Sequence, residues 1–152
     1  MAFTLGLDYG TSSVRAVVAS CETGALAGTA VYDYPSGSDG VLLDPGDPHL
    51  ARQNPADYLD GLRASAESAL REAEAVGVAR DNVIGIGVDT TGSTPIPVDA
   101  RHRPLALDPR WRGHLAAQAW LWKDHTAAAE AVEITETARR HAPEYLAPIG
   151  GT

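Results

Sequence analysis

Short runs of β-branched and apolar residues dominate the first third of the chain, and turn-forming clusters close each run. Residues 3–7, 14–20 and 28–34 read as three strands. Glu22-Thr23-Gly24 separates the second from the third and offers a glycine for a positive φ. Turns this short predict an antiparallel meander. Residues 35–48 are rich in Gly, Pro, Ser and Asp and read as a loop, with Val41-Leu42-Leu43 as a short extended piece inside it.

The period then changes. Tyr58, Leu59, Leu62, Ala66, Ala69, Leu70, Ala73 and Val76 recur at helical spacing. Asn54 is placed to cap this helix, Pro55 suits its first position, Asp57 complements its dipole and Gly77 stops it. Asp60, Arg63, Glu67, Arg71 and Glu74 occupy the opposite, solvated face. Residues 83–88 are apolar throughout and predict a strand covered on both faces, in the central part of a mixed sheet. Residues 96–99 read as a short edge segment, because their prolines cannot donate to a central ladder. Residues 119–122 are a further strand candidate. Residues 126–141 predict a helix with Ala129, Val132, Ile134, Ala138 and Ala142 available for packing. The order of elements predicts one α/β unit over residues 1–152, with no linker dividing it.

Composition narrows the function classes. The chain has 152 residues, with 20 acidic and 12 Lys or Arg side chains and a net charge of −8. That balance argues against nucleic acid as a partner, since such surfaces need clustered Lys and Arg. It leaves a nucleotide site open, because backbone amides and Mg²⁺ hold phosphates without a basic fold. Cys21 is the only cysteine, so no internal disulfide forms and a cytoplasmic location is expected. No run approaches the ~18 apolar residues of a membrane span, so no membrane partner is expected. The first residues lack the basic n-region of a signal peptide.

Three segments carry candidate chemistry. In the first, Leu5-Gly6-Leu7-Asp8-Tyr9-Gly10-Thr11-Ser12-Ser13-Val14-Arg15, a strand ends on a carboxylate and runs into a glycine and three hydroxyl residues. Successive N–H groups in such a turn form an anion-binding nest. Gly10 permits close approach, and Asp8 suits Mg²⁺, which prefers oxygen ligands and keeps several waters. The same residue types also build ordinary hairpin turns, so the residues alone leave both readings open. The second segment is Asp89-Thr90-Thr91-Gly92-Ser93-Thr94-Pro95. It leaves the carboxyl end of a strand, where ligands gather in open α/β sheets, although a plain loop or a helix cap has the same composition. The third is Trp120-Leu121-Trp122-Lys123-Asp124-His125-Thr126. Its indoles suit an apolar wall, and its Lys, Asp and His reach hydroxyl or phosphate oxygens. The competing reading is a core Trp, a surface Lys123–Asp124 pair worth little and an exposed or capping His125. No Walker loop, dinucleotide fingerprint, nucleophile elbow or metal-type histidine spacing is present.

Together these segments resemble the N-terminal domain of the FGGY carbohydrate kinases, of the actin/Hsp70/hexokinase-like superfamily. Gly6 to Arg15 resembles the family's first phosphate motif. Arg52-Gln53-Asn54-Pro55-Ala56-Asp57-Tyr58, Gly87-Val88-Asp89-Thr90-Thr91-Gly92-Ser93-Thr94-Pro95 and Leu121-Trp122-Lys123-Asp124-His125-Thr126-Ala127 are similar to its ribulokinase branch. Glycerol and xylulose kinases differ at Gly92-Ser93. The resemblance implies an α/β, ribonuclease H-like fold, a mixed sheet flanked by helices and incomplete at this length. It implies ATP-dependent phosphorylation of ribulose at its terminal hydroxyl. By the same resemblance Asp8 holds Mg²⁺, and Gly10, Thr11, Ser12 and Ser13 form the phosphate turn for ATP. Gly92, Ser93 and Thr94 line the sugar loop, and Trp122, Lys123 and Asp124 belong to the sugar pocket. Arg15 is either in an ion pair or at the ligand. FGGY kinases are roughly three times longer than this chain, and their catalytic base and most of the adenine pocket lie beyond the position of Thr152. The chain is therefore expected to be an N-terminal part, inactive alone, with apolar surface that favours self-association or a homodimer. Gly150-Gly151-Thr152 reads as the inside of a turn. The alternatives are another FGGY sugar or polyol kinase, for xylulose or glycerol, and a non-catalytic actin-like ATP-binding module.

Overall fold

The structure, a computed structural model, describes residues 1–150; Gly151 and Thr152, where the terminal turn was expected, lie outside the described residues. Strands β1 (Phe3–Tyr9), β2 (Ser13–Ser20) and β3 (Leu26–Asp33) form the expected antiparallel meander. Gly24 sits at φ +71° in the turn between β2 and β3, where Ser20 Oγ accepts from the N–H groups of Glu22 and Thr23. Strands β4 (Leu42–Asp44) and β5 (Asp47–Gln53) follow, then helix α1 (Pro55–Ala75), strand β6 (Val83–Thr90), strand β7 (Ala119–Trp120) and helix α2 (Ala128–His141). β6 pairs in parallel with β1, which makes a mixed four-stranded sheet of order β3-β2-β1-β6. A smaller sheet, β4-β5-β7, flanks it.

Alternation along β1 and β2 sends Phe3, Leu5, Leu7, Ala16 and Val18 to one face, where α1 covers them. Each large side chain buried there contributes about 1.5–3 kcal/mol, an upper figure set against an extended unfolded chain. Asn54 caps α1 as expected, its Oδ1 accepting from Ala56 N at 3.0 Å. The expected stripe of α1 holds in part: Ala69 and Ala73 are buried, and Leu62, Ala66 and Leu70 pack against the core partly buried, while Leu59 and Val76 are exposed. The deepest positions include Asp57, Gly61 and Ser65 beside Ala69 and Ala73. Small residues four apart form a shallow ridge, and the helix backbone settles close to the sheet. A Cβ at Gly28 would lie 2.0 Å from the Ala69 carbonyl oxygen, and one at Gly61 would lie 2.4 Å from Val14. The polar face expected for α1 is present as ion pairs, Arg71 and Arg80 both meeting Glu67.

Other expectations need correction. β6 is not covered on both faces: it is the last strand of its sheet, and Ile84, Ile86 and Val88 are largely exposed. Its apolar character marks a surface, because α1 crosses β2 and β3 and stops short of it. Residues 47–53 form a strand where a loop was expected up to residue 48, and Pro48 is tolerated near the strand's start. Residues 96–99 contribute only a bridge, Val98 to Pro104. α2 has no buried residue, so Val132 and Ile134 do not pack as expected.

Candidate functional site

The turn between β1 and β2 is held by its carbonyls. Gly10 N donates to Ser13 O at 2.9 Å, and Tyr34 N donates to Ser12 O at 2.9 Å. Gln53 Nε2 donates to Thr11 O at 2.7 Å. With these oxygens engaged, the N–H groups of Thr11 and Ser12 have no protein acceptor among the described residues. That arrangement suits an anion, because open backbone donors in a tight turn attract negative charge. Gln53 is 1% exposed, and its orientation is decided by chemistry. A carbonyl only accepts, so the amide nitrogen faces Thr11, and Oε1 accepts from Tyr58 Oη at 2.7 Å.

The second candidate segment folds back on this turn. Thr91 N donates to Tyr9 O at 3.1 Å. Tyr9, Gly10, Tyr58, Thr90, Thr91, Thr94 and Ile96 then line a cleft of about 270 Å³. Thr94 is on its wall, and its hydroxyl lies 3.3 Å from that of Thr91. Gly92 and Ser93 are exposed at the loop tip, with Ser93 at φ +54°. Tyr58 meets Tyr9 edge-on at 6.0 Å and Tyr34 at 5.6 Å. Burial pushes all three phenol pKa values up, so these rings stay neutral at physiological pH.

Asp8 lies on the opposite face of β1 from this cleft. Arg15 approaches it at 3.4 Å, in an exposed pair worth little to stability. The parallel register sets Asp89 directly beside Asp8. The sequence places Asp89 at the head of the second candidate segment but gives no sign that it neighbours Asp8, which only the pairing of β1 with β6 reveals. Asp8 is half exposed, and oxygen donors of this kind suit Mg²⁺, which takes one or two carboxylates and keeps its waters.

The third segment splits. Trp122 is 56% exposed, and its Nε1 donates to Thr11 Oγ1 at 3.2 Å. Lys123 is exposed. Asp124 does not form the surface pair with Lys123; it is a buried partner of Arg52. Its Oδ2 also accepts from Ala51 N at 2.7 Å, and its Oδ1 accepts from Thr126 N and Oγ1 at 3.1 and 2.6 Å. The Arg52 guanidinium stacks on the Trp120 ring at 3.7 Å. Arg52 and Gln53 were legible only as part of a motif. A polar residue ahead of a helix cap gives no sign that it will be buried.

The sequence pattern of the N-terminal domain of the FGGY family of carbohydrate kinases matches residues 3–145. The chain belongs to this family. A ribulokinase of Shouchella clausii is 40% identical over 98% of the chain, and one of Vibrio parahaemolyticus is 38% identical over 97%. The chain spans only about a quarter of these FGGY relatives, 27% and 26% of their lengths. Among solved structures, a xyloylose kinase from Brucella ovis superposes with a TM-score of 0.68 at 26% identity, covering 93% of the chain and 25% of that protein. The xylulose kinase of Bifidobacterium adolescentis shares the fold with a TM-score of 0.62 at 21% identity, covering 93% of this chain and 22% of its own.

Proposed function

We propose that this chain supplies the phosphate turn and part of the sugar pocket of an ATP-dependent kinase that phosphorylates the terminal hydroxyl of ribulose. The observation that carries the reading is the convergence of three segments. The open N–H groups of Thr11 and Ser12, the Thr90–Thr94 loop and the Trp122 indole all meet at one end of the sheet. The similarity to ribulokinases over nearly the whole chain supports ribulose as the sugar.

Phosphoryl transfer depends mostly on positioning and charge neutralisation. In this reading the N–H groups of Thr11 and Ser12, beside Gly10 and Ser13, bind phosphate oxygens. Asp8, with Asp89 next to it, would hold Mg²⁺, which neutralises phosphate charge when bound. Gly92, Ser93 and the Thr94 hydroxyl face the sugar, and Trp122 and Lys123 bound its pocket. Asp124 serves the pocket by fixing the loop, since its carboxylate is already bonded on both oxygens. We assign no general base within this chain, and its setting is a soluble, cytoplasmic one.

Amide resonances of the chain, followed during titration, test this. Magnesium ATP is expected to shift Thr11 and Ser12, and ribulose to shift Thr91, Thr94 and Trp122. Unmoved turn resonances would refute the phosphate assignment, and preference for glycerol or xylulose would refute the sugar. ADP release from the chain with all three components would show that a base is present after all.

A further inference from the structure

We propose that Trp122 is a positioning residue for the phosphate turn: its indole N–H orients the Thr11 hydroxyl so that the hydroxyl proton is donated to a phosphate oxygen. The inference rests on the phosphate reading above.

An indole nitrogen donates one hydrogen bond and accepts none. At 3.2 Å from Thr11 Oγ1, Trp122 Nε1 is therefore the donor and the threonine oxygen the acceptor. The hydroxyl proton must then go elsewhere. Among the described residues no protein group accepts it, and the Thr11 carbonyl is already taken by Gln53. The turn thus has three donors in sequence and without protein acceptors: the Thr11 N–H, the Thr11 O–H and the Ser12 N–H.

Core packing does not explain where Trp122 sits, since more than half of it is exposed. It is held between two buried anchors. Leu121 is 2% exposed on one side, and Asp124 is bonded to Arg52 and Ala51 on the other. Both anchors grip β5, the strand whose Gln53 holds the Thr11 carbonyl. One strand therefore fixes Thr11 through its backbone and, by way of Trp122, through its side chain. The indole uses only its edge for this bond, which leaves the ring face for a sugar. The same residue would link the two halves of the site.

The test is a titration of the chain with magnesium tripolyphosphate, followed by the Thr11 amide and Trp122 indole resonances. In the wild type both are expected to move with one midpoint. Trp122→Phe keeps an aromatic face and removes the N–H. It is expected to weaken binding roughly 5–10-fold, the scale of one hydrogen bond to a charged group made less well. Thr11→Val is expected to weaken it at least as much, and adding Trp122→Phe to Thr11→Val should cost nothing further. An equal loss from Trp122→Phe in both backgrounds would mean a merely structural role and overturn the proposal. So would an indole resonance that stays still while the Thr11 amide moves. This second measurement needs no variant and holds even if Trp122→Phe folds poorly. If the wild type does not bind tripolyphosphate at all, the phosphate reading itself falls, and this proposal with it.

Discussion

Asp124→Ala separates two roles for a carboxylate that the family resemblance assigns to the sugar pocket. The structure makes it the counterion of Arg52, with side chains 5% and 4% exposed respectively. Removing it strands a guanidinium that burial already makes a weaker base, and arginine cannot escape by deprotonating. The N–H of Ala51 and the N–H and hydroxyl of Thr126 also lose their acceptor. Breaking a buried pair from one side costs about 3–5 kcal/mol. That is a large share of the ~5–15 kcal/mol by which a domain is stable, and two to three and a half decades in the unfolding equilibrium at ~1.4 kcal/mol each. Urea denaturation followed by circular dichroism measures it. Replacing both partners with apolar residues, Arg52→Met with Asp124→Leu, should cost less than Asp124→Ala alone. A loss below about 1 kcal/mol for Asp124→Ala would refute the buried-pair argument and return the carboxylate to the sugar pocket.

Three further outcomes are expected. Gly28→Ala places a Cβ 2.0 Å from the Ala69 carbonyl and 2.8 Å from Ala73 N, both backbone atoms, so α1 must lift; a stability loss at or above the ~1–3 kcal/mol of ordinary overpacking is expected in the same denaturation assay. Ile86 is 68% exposed on the outermost strand, so the chain is expected to self-associate through β6 and Ile86→Lys to reduce this at little cost in stability; light scattering after sizing measures both, and a monomeric wild type would refute the expectation. Failure of Ile86→Lys to change the apparent mass would remove β6 as the contact. The Glu67 carboxyl is held down to about 2 from 4.5 by hydrogen bonds from Arg80 and then Arg71. A depressed folded pKa stabilises above the unfolded value, so this contribution is present above pH 4.5 and fades as pH falls toward 2. Glu67→Gln should flatten that slope in denaturation curves, and salt should weaken the effect in the wild type.

Much of the architecture is legible locally. The meander follows from three apolar runs and two turn clusters, and Gly24 adopts the positive φ that its turn needs. Asn54 and Pro55 mark the start of α1 because capping is settled within a few residues. The turn at Gly10 to Ser13 is likewise visible in its own composition. The parallel pairing of β6 with β1 matches the mixed sheet implied by family resemblance.

The rest depends on distance along the chain. Helical periodicity places Leu62, Ala69, Leu70 and Ala73 on the packed side of α1, as found, but it does not reveal that Gly61 and Ser65 lie deepest with the alanines, where close approach to Gly28 and Val14 leaves no room for larger side chains. An apolar strand reads as buried, yet β6 is the last strand of its sheet and leaves Ile84, Ile86 and Val88 largely exposed. Asp124 reads as a neighbour of Lys123, yet it is taken by Arg52 from another strand. Asp89 gains meaning only from the register that sets it beside Asp8, and Trp122 only from its bond to Thr11. Period, capping and turn chemistry are local properties of the backbone, so the order of residues is enough to set them. Which carboxylate is buried, which apolar face stays open and which side chains surround a turn are decided by pairings between remote segments, and those exist only once the chain has folded.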